Sequence, residues 1–301
     1  MNQHIIIAGG SGLVGRALTV ALKTAGDSVT WISRNSAHAT SQANNYVPCI
    51  NWDDDLAATF RTADAVVNLA GAGIADQRWS DARKEELHNS RVTATRHIVD
   101  AIRSLDNPPS LINASAVGGY GPRGNTPVDE SSQTGAGYLA EVCRAWEAEA
   151  DRAVGSTRVV KVRIGLALST EGGALAKMFL PFRLGLGGPI GSGSQGMPWI
   201  HIDDLTNILQ LAIDNTDCTG VINAVAPNPV NNKTFTRTLG RVLHRPAILP
   251  APAIALKLLL GEMAEALLLE GQFVLPTRVL DLGYAFQYPE LEPALRDLLS
   301  V

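Results

Sequence analysis

The sequence has few cysteines, no excess of positive charge and no long uninterrupted apolar run. Its three cysteines, Cys49, Cys143 and Cys218, are odd in number and far apart, which excludes a disulfide framework and the paired spacing of a structural zinc site. Lysine and arginine total 25 against 29 acidic residues, which leaves no broad basic field for nucleic acid or an anionic membrane. The most apolar stretch, 253–269, contains Lys257 and two glutamates and is too short to span a bilayer.

The chain also lacks a charged and apolar leader before its first strand pattern, which argues against a signal peptide. We therefore expect a cytoplasmic protein without a metal site, whose partner is a small-molecule substrate. Neither nucleic acid nor a membrane is an expected partner, and the sequence leaves the oligomeric state open.

A glycine-rich turn follows the first apolar run. The strand-like residues His4–Ala8 lead into Gly9-Gly10-Ser11-Gly12-Leu13-Val14-Gly15, and a helical pattern begins at once. Glycines let backbone N–H groups approach a pyrophosphate at the positive end of the next helix. A second strand pattern, Ser28 to Ser33, completes a βαβ unit. The turn predicts a dinucleotide site whose cofactor-contacting residues are Gly9, Gly12, Leu13, Val14 and Gly15.

The residues after the second strand pattern bear on which cofactor is bound. Where a carboxylate would hold the ribose 2′-hydroxyl of NAD, the chain has Ser33-Arg34-Asn35. A guanidinium binds a 2′-phosphate through charge-assisted bonds worth about 1.5–3 kcal/mol, or roughly ten- to hundredfold in affinity. The alternative is a solvated surface arginine. The sequence thus predicts NADP(H), held in part by Ser33 and Arg34.

Strand and helix patterns then alternate along the chain after a polar run at 35–45. Right-handed crossovers between them predict an α/β fold, a doubly wound parallel (Rossmann) sheet, over 1–170 with a returning segment near 203–226. Long glycine- and proline-rich loops follow residue 169. We expect 171–202 and 227–301 to form a smaller, mostly helical C-terminal substrate lobe.

Polar residues lie where the predicted strands end, which is where ligands bind in such sheets. Ser115 follows the predicted strand Ser110 to Ala114 and is placed to hydrogen-bond a substrate oxygen, although capping the next loop is the alternative. Asn68, Ala70 and Gly71 end another strand, and the small residues let a cofactor pass close by.

Two further polar positions remain open to more than one interpretation. Arg163 shares a strand face with Lys161 and is expected near the cofactor, with a salt bridge as the alternative. His201 precedes Asp203 and Asp204, where a packed histidine and an aspartate N-cap compete with an acid/base or metal role.

The chain resembles the extended and atypical short-chain dehydrogenase/reductases over nearly its whole length, and most closely the NAD(P)-dependent sugar-nucleotide epimerase-like family. The motifs that carry the resemblance are Gly9 to Gly15, Asn68 to Gly71, Ser115 to Gly121, Val142 to Glu147, Arg163 to Gly165, Pro181 to Gly188, Trp199 to Asp204, Leu260 to Glu265 and Leu268 to Gln272. The last two resemble that family's small C-terminal domain of undefined role.

The resemblance implies a Tyr-x-x-x-Lys pair, in which the lysine lowers the pKa of the tyrosine. Tyr138 can occupy the tyrosine position, but residue 142 is valine. A phenol without that cation is only about 0.1% ionised at neutral pH, so Tyr138 is expected to donate a proton, or Tyr120 to do so in its place. The expected function is an NADP(H)-dependent oxidoreductase or epimerase-like enzyme for a small carbonyl or hydroxyl compound, sugar nucleotides included. The alternative is a non-catalytic NADPH-binding or redox-sensing module.

Overall fold

The computed structural model describes residues 2–34 and 47–300, and the polar run at 35–45 lies outside them. Its strands, in chain order, are β1 (His4–Ala8), β2 (Ser28–Ser33), β3 (Cys49–Asn51), β4 (Ala65–Asn68), β5 (Ser110–Ala116), β6 (Pro127–Val128), β7 (Val159–Ile164), β8 (Leu166–Leu168), β9 (Gly196–Met197), β10 (Trp199–His201), β11 (Gly220–Ala224), β12 (Val230–Asn231) and β13 (Phe273–Val274).

Its helices are α1 (Leu13–Ala25), α2 (Leu56–Phe60), α3 (Asp81–Arg103), α4 (Tyr138–Asp151), α5 (Gly173–Arg183), α6 (Ile202–Asp214), α7 (Asn232–Val242), α8 (Ala253–Leu260), α9 (Glu262–Ala264), α10 (Thr277–Asp281) and α11 (Leu291–Leu299). A 3₁₀ turn, Val117–Tyr120, follows β5, and a π-helical turn, Glu265–Leu269, continues α9.

A seven-stranded sheet in the order β11-β7-β5-β4-β1-β2-β3 forms the centre of the fold. Every neighbouring pair of these strands is parallel, so their carboxyl ends lie along one edge. The predicted doubly wound parallel sheet is confirmed. Gly220–Ala224 pairs with β7, so the chain returns to the sheet after its excursion into the later loops.

Helices cover both faces of the sheet. On one face, α1 and α6 bury Leu18, Leu22 and Leu205 against the strands. On the other face, α3 and α4 bury residues such as Ile98 and Ala150. The two layers of helices fix the carboxyl ends of the strands, where the candidate site lies.

Local sequence sets the limits of the helices that flank the site. Helix α3 begins where the Ser80 hydroxyl accepts the backbone N–H of Arg83, and α1 ends at Gly26, whose φ of 96° suits glycine. The chain leaves the main sheet at Gly165, directly after β7. A Cβ there would lie 2.2 Å from the Pro198 carbonyl oxygen, and β8 then pairs with β10 instead of continuing the sheet.

A separate apolar core lies outside the main sheet. It joins α5, α7 and α11 through Leu175, Phe235 and Leu295, and it includes Trp199. Helix α8 differs from these helices because none of its residues is buried. Within the described residues, no helix combines the length and apolarity that crossing a membrane requires.

Candidate cofactor and substrate site

The glycine turn between β1 and α1 is packed so closely that side chains do not fit. Gly9 has a φ of 79°, and a Cβ at Gly9 would lie 2.8 Å from the Leu69 carbonyl oxygen. A Cβ at Gly15 would lie 2.6 Å from the Cα of Gly10. The Gly12 N–H donates to the Gly9 carbonyl oxygen at 3.0 Å, which closes the turn. The glycines therefore let β1, α1 and the loop after β4 meet at one point.

The start of α1 offers its backbone N–H groups to an anion. Among the described residues, no side chain caps this helix, and its first turn has no acidic residue. Helix N-termini carry a partial positive charge and unpaired N–H groups that suit a phosphate. The predicted residues Leu13, Val14 and Gly15 provide these groups, so the turn fits a pyrophosphate.

Arg34 lies beside this turn. The Gly9 N–H donates to the Ile32 carbonyl oxygen at 3.1 Å, which fastens the turn to the end of β2. Ser33 is the last residue of β2, and the exposed Arg34 follows it. The structure thus places Ser33 and Arg34 at the carboxyl edge of the sheet, next to the helix start.

Asn68 contributes to a buried hydrogen-bond network beneath the site. Its Nδ2 donates to Asn113 Oδ1 at 2.7 Å and to Thr95 Oγ1 at 2.8 Å, and its Oδ1 accepts the Ala70 N–H at 3.2 Å. These bonds join β4, β5 and α3 and fix the backbone that leads to Gly71. Asn68 therefore positions the Ala70–Gly71 segment, which was predicted to contact the cofactor.

Ser115, Glu147 and Arg163 form a buried cluster at the carboxyl ends of β5 and β7. The Ser115 hydroxyl donates to Glu147 Oε1 at 2.6 Å. Arg163 donates to both oxygens of the same carboxylate, at 2.8 and 2.9 Å. Its Nη1 has no hydrogen-bond partner within the described part of the chain. The Ser115 hydroxyl and Arg163 thus both donate hydrogen bonds to the Glu147 carboxylate, and the predicted contact of Arg163 with the cofactor stays a prediction.

Charge balance explains why Glu147 stays ionised in this cluster. Burial alone would raise the pKa of Glu147, but the hydrogen bonds and charge of Arg163 lower it below its usual value. Two residues before Arg163, Lys161 pairs with Asp151 at 2.7 Å in a more exposed position. Lys161 and Arg163 lie two apart on β7 and point to the same side of the strand. Each therefore pairs with one of two carboxylates, Asp151 and Glu147, that lie four apart on α4.

Tyr120 was predicted as an alternative proton donor, but the structure places it in the core. Its side chain is fully buried, and its hydroxyl donates to Asn223 Oδ1 at 2.8 Å. The Arg163 guanidinium lies 4.7 Å from its ring centre. Burial raises the pKa of Tyr120, so the phenol stays protonated. The hydroxyl of Tyr120 thus lies in the core and is already bonded to β11.

Tyr138 lies at the surface of the site, on the side of α3 and the C-terminal lobe. Its hydroxyl donates to the Lys84 carbonyl oxygen at 2.6 Å, and its ring meets Trp79 edge-on at 5.1 Å. Burial and the nearby Glu262 raise its pKa, although Arg91 opposes them. Tyr138 and Ser115 share no hydrogen-bond partner among the residues that the structure describes. The two side chains are therefore held by different elements, Tyr138 by α3 and Ser115 by α4.

Helix α4 packs against the 3₁₀ turn that follows Ser115. The residues that face the turn after Ser115 are Leu139 and Cys143: a Cβ at Gly118 would lie 3.4 Å from Leu139, and one at Gly119 would lie 3.2 Å from Cys143. Burial and Glu147 raise the pKa of the Cys143 thiol, which accordingly stays protonated. An apolar side chain and a neutral thiol thus occupy the face of α4 that meets this turn.

His201 caps α6, a role that had been expected of an aspartate. Its Nδ1 accepts the Asp203 N–H at 3.1 Å, and its ring stacks on Tyr288 at 3.9 Å. Asp204 instead accepts hydrogen bonds from Tyr284, Gln287 and Tyr288. The histidine is therefore a buried structural group that joins α6 to the C-terminal segment.

Sequence reasoning missed Glu147 as the centre of the buried cluster, and Thr95 and Asn113 as partners of Asn68. A signal for Glu147 was present, because Glu147 and Asp151 lie four apart on α4 while Lys161 and Arg163 lie two apart on β7. No comparable pattern identified Thr95, whose partners come from two different strands.

Comparison with known proteins places these features in a family. Residues 5–224 match the NAD dependent epimerase/dehydratase family, and residues 251–298 match a domain of unknown function, DUF1731. The chain is 39% identical over 302 residues to human epimerase family protein SDR39U1, covering 99% of this chain and all of that protein. It is 40% identical over 309 residues to the chloroplastic SDR39U1 homolog of Arabidopsis thaliana, covering 99% of this chain and 87% of that protein.

The fold agrees with this sequence similarity. The crystal structure of human SDR39U1, isoform 2, with NADPH superposes with a TM-score of 0.91 at 38% identity, and 99% of each chain is covered. The chain therefore belongs to the NAD dependent epimerase/dehydratase family and is similar to SDR39U1 along its whole length.

Proposed function

We propose that this chain binds NADP(H) and is an oxidoreductase or epimerase-like enzyme for a small carbonyl or hydroxyl compound. The observation that carries the proposal is the start of α1, where the Gly9–Gly15 turn presents uncapped N–H groups beside Arg34. The similarity to human SDR39U1, whose crystal structure contains NADPH, supports the same cofactor. The pyrophosphate would lie at Leu13, Val14 and Gly15, and the 2′-phosphate at Ser33 and Arg34.

Bound NADP(H) supplies hydride transfer, and the protein residues orient the substrate and move a proton. The Glu147 carboxylate accepts the hydrogen bond of the Ser115 hydroxyl, so the lone pairs of that hydroxyl are left to accept a hydrogen bond from a substrate or cofactor hydroxyl. Arg163 keeps Glu147 ionised and fixed, which makes it a positioning residue. Asn68 fixes Ala70 and Gly71 where the cofactor would pass.

Tyr138 is the proton donor that we propose, because its raised pKa keeps it protonated and it is only half-buried. Its hydroxyl must exchange the Lys84 carbonyl for the substrate oxygen in order to act. Tyr120 has no part in this scheme because it is enclosed in the core.

The cofactor assignment is tested by calorimetric titration of NADPH and NADH into wild type, Arg34→Asp and Arg103→Asp. Arg103 is also exposed, but it lies at the far end of α3. Loss of charge-assisted bonds worth about 1.5–3 kcal/mol should weaken NADPH binding roughly ten- to hundredfold in Arg34→Asp, and a carboxylate there should leave NADH binding nearly unchanged. Equal losses for the two cofactors would refute the role of Arg34, and absence of binding to wild type would refute the proposal itself.

One observation favours a second function, a non-catalytic NADPH-binding or redox-sensing module. Leu139 and Cys143 occupy the face of α4 that meets the turn after Ser115, and Val142 stands where the motif has lysine. Turnover distinguishes the two functions. Stoichiometric NADPH binding without oxidation across sugar nucleotides, aldehydes, ketones and quinones would favour the module.

A further inference from the structure

The exposed large apolar side chains of this protein are concentrated in two segments. Of the eleven such side chains among the described residues, three lie in 180–186 and five in 248–259. These eight leucines and isoleucines, here called the apolar surface, are each 49–75% exposed. Soluble monomers usually scatter such residues singly, so a cluster of this size indicates an interaction site.

The two segments form one continuous surface because their backbones lie side by side. The Leu249 N–H donates to the Gly187 carbonyl oxygen at 3.2 Å, and the Gly191 N–H donates to the Ala251 carbonyl oxygen at 2.9 Å. Arg245 also donates to the Arg183 carbonyl oxygen at 3.0 Å. The end of α5, the linker before α8 and α8 itself are thereby joined.

Helix α8 shows most clearly that the surface is incomplete. Its sequence, AIALKLLL, is apolar around almost its whole circumference, yet none of its residues is buried. A helix that is apolar on all sides is ordinarily enclosed by protein or lipid. Its one charged residue, Lys257, pairs with Glu265 of the same chain at 3.0 Å.

We propose that the apolar surface is the interface of a homodimer, in which a second copy of this chain covers α8 and the end of α5. At roughly 100 Å² each, eight side chains present on the order of 800 Å², which exceeds the largest patch of most monomers and equals one partner's share of a standard interface. A two-fold dimer pairs the same patch on both subunits, which an apolar surface permits because apolar side chains are complementary to a copy of themselves.

Charge distinguishes a second copy from a membrane as the occupant. Helices that lie on anionic lipid carry several lysines or arginines on a polar face. Helix α8 has only Lys257, which is already paired, the adjoining segments add Arg183 and Arg245, and the whole chain has a net charge of −4. The surface therefore carries fewer cations than such a polar face. This inference does not depend on cofactor binding.

Sedimentation equilibrium across micromolar concentrations tests the proposal on the full chain. Wild type should sediment at twice the chain mass. The Ile254→Glu/Leu258→Glu variant should raise the dimer dissociation constant by about a hundredfold or more, because apposed glutamates repel in a buried interface. Val20→Glu is the matched control, since Val20 is 67% exposed on α1, outside the apolar surface, and this variant should remain dimeric.

Far-UV circular dichroism and thermal unfolding confirm that each variant is folded, and Ile254→Gln is a milder second variant that should weaken the dimer in the same direction. A wild type that sediments as a single chain throughout would overturn the proposal. A dimer that the double variant leaves intact would overturn it too. A monomeric wild type that co-sediments with vesicles of phosphatidylcholine and phosphatidylglycerol would instead assign the surface to lipid.

Discussion

Removing Arg163 should destabilise this protein far more than removing its neighbour Lys161. Arg163 is buried and forms two hydrogen bonds to Glu147, so Arg163→Met leaves a buried carboxylate without its cation. Stranding one partner of a buried pair costs about 3–5 kcal/mol. Lys161→Met on the same strand removes a pair whose Asp151 carboxylate is half exposed, which costs at most about 1 kcal/mol.

The assay is urea unfolding at pH 7 for wild type and both variants, with Arg163→Met/Glu147→Leu as a further comparison. The double variant should recover most of the loss, because replacing both charges with apolar groups removes the unpaired ion. Equal losses for Arg163→Met and Lys161→Met would refute the reasoning, as would a double variant no more stable than Arg163→Met.

The Arg163–Glu147 pair also predicts how the free energy of unfolding changes with pH. In wild type, burial opposes ionisation of Glu147 but Arg163 lowers its pKa below the usual value. The pair therefore stabilises the fold above the unfolded pKa of about 4.3 and loses that contribution as pH falls through the folded pKa. In Arg163→Met, burial raises the pKa of Glu147, so that variant gains relative stability as pH falls towards 4. The difference in unfolding free energy between the two proteins should narrow between pH 7 and pH 4, and a constant difference would contradict the assignment.

Two further substitutions probe the candidate site. Gly15→Ala should abolish NADPH binding in titrations and lower the free energy of unfolding by about 1–3 kcal/mol, because the new Cβ would lie 2.6 Å from the Cα of Gly10. Gly172→Ala is the control, since its Cβ would lie an ordinary 3.7 Å from Leu13. Equal effects of the two substitutions would contradict the argument from close backbone approach. If the chain is an enzyme, Tyr138→Phe should lower turnover by about 10²–10⁴-fold with NADPH affinity unchanged, as expected for a lost proton donor. Tyr120→Phe should change only stability, by about 1 kcal/mol through its bond to Asn223, and unchanged turnover in Tyr138→Phe would remove Tyr138 from the mechanism.

The parts of the fold that local sequence determines were predictable. The Gly9–Gly15 turn, the strand that precedes it and the serine cap of α3 all depend on residues within one or two turns of chain. Alternating strand and helix patterns were enough to predict the parallel sheet, because right-handed crossovers permit few other arrangements.

The parts of the fold that depend on distant segments could not be predicted from the sequence. The residues on both sides of Gly165 favour a strand, so the sequence gives no sign that the strand ends there. It ends because Pro198, from a later loop, packs against the backbone of Gly165. Tyr120 is enclosed by Asn223, 103 residues further along the chain. The contacts of Tyr138 likewise come from an earlier part of the chain, the Lys84 carbonyl and the Trp79 ring.

The departure of the chain from the sheet at Gly165 affects how this protein unfolds. The backbone leaves the nucleotide-binding half after β7, returns through α6 and β11, and leaves again towards β12. At least three covalent crossings join the halves, so neither can be excised as a contiguous fragment, and a hinge at one linker would not free them. We expect a single cooperative melting transition in scanning calorimetry, and limited proteolysis should not release a stable N-terminal fragment ending near residue 165.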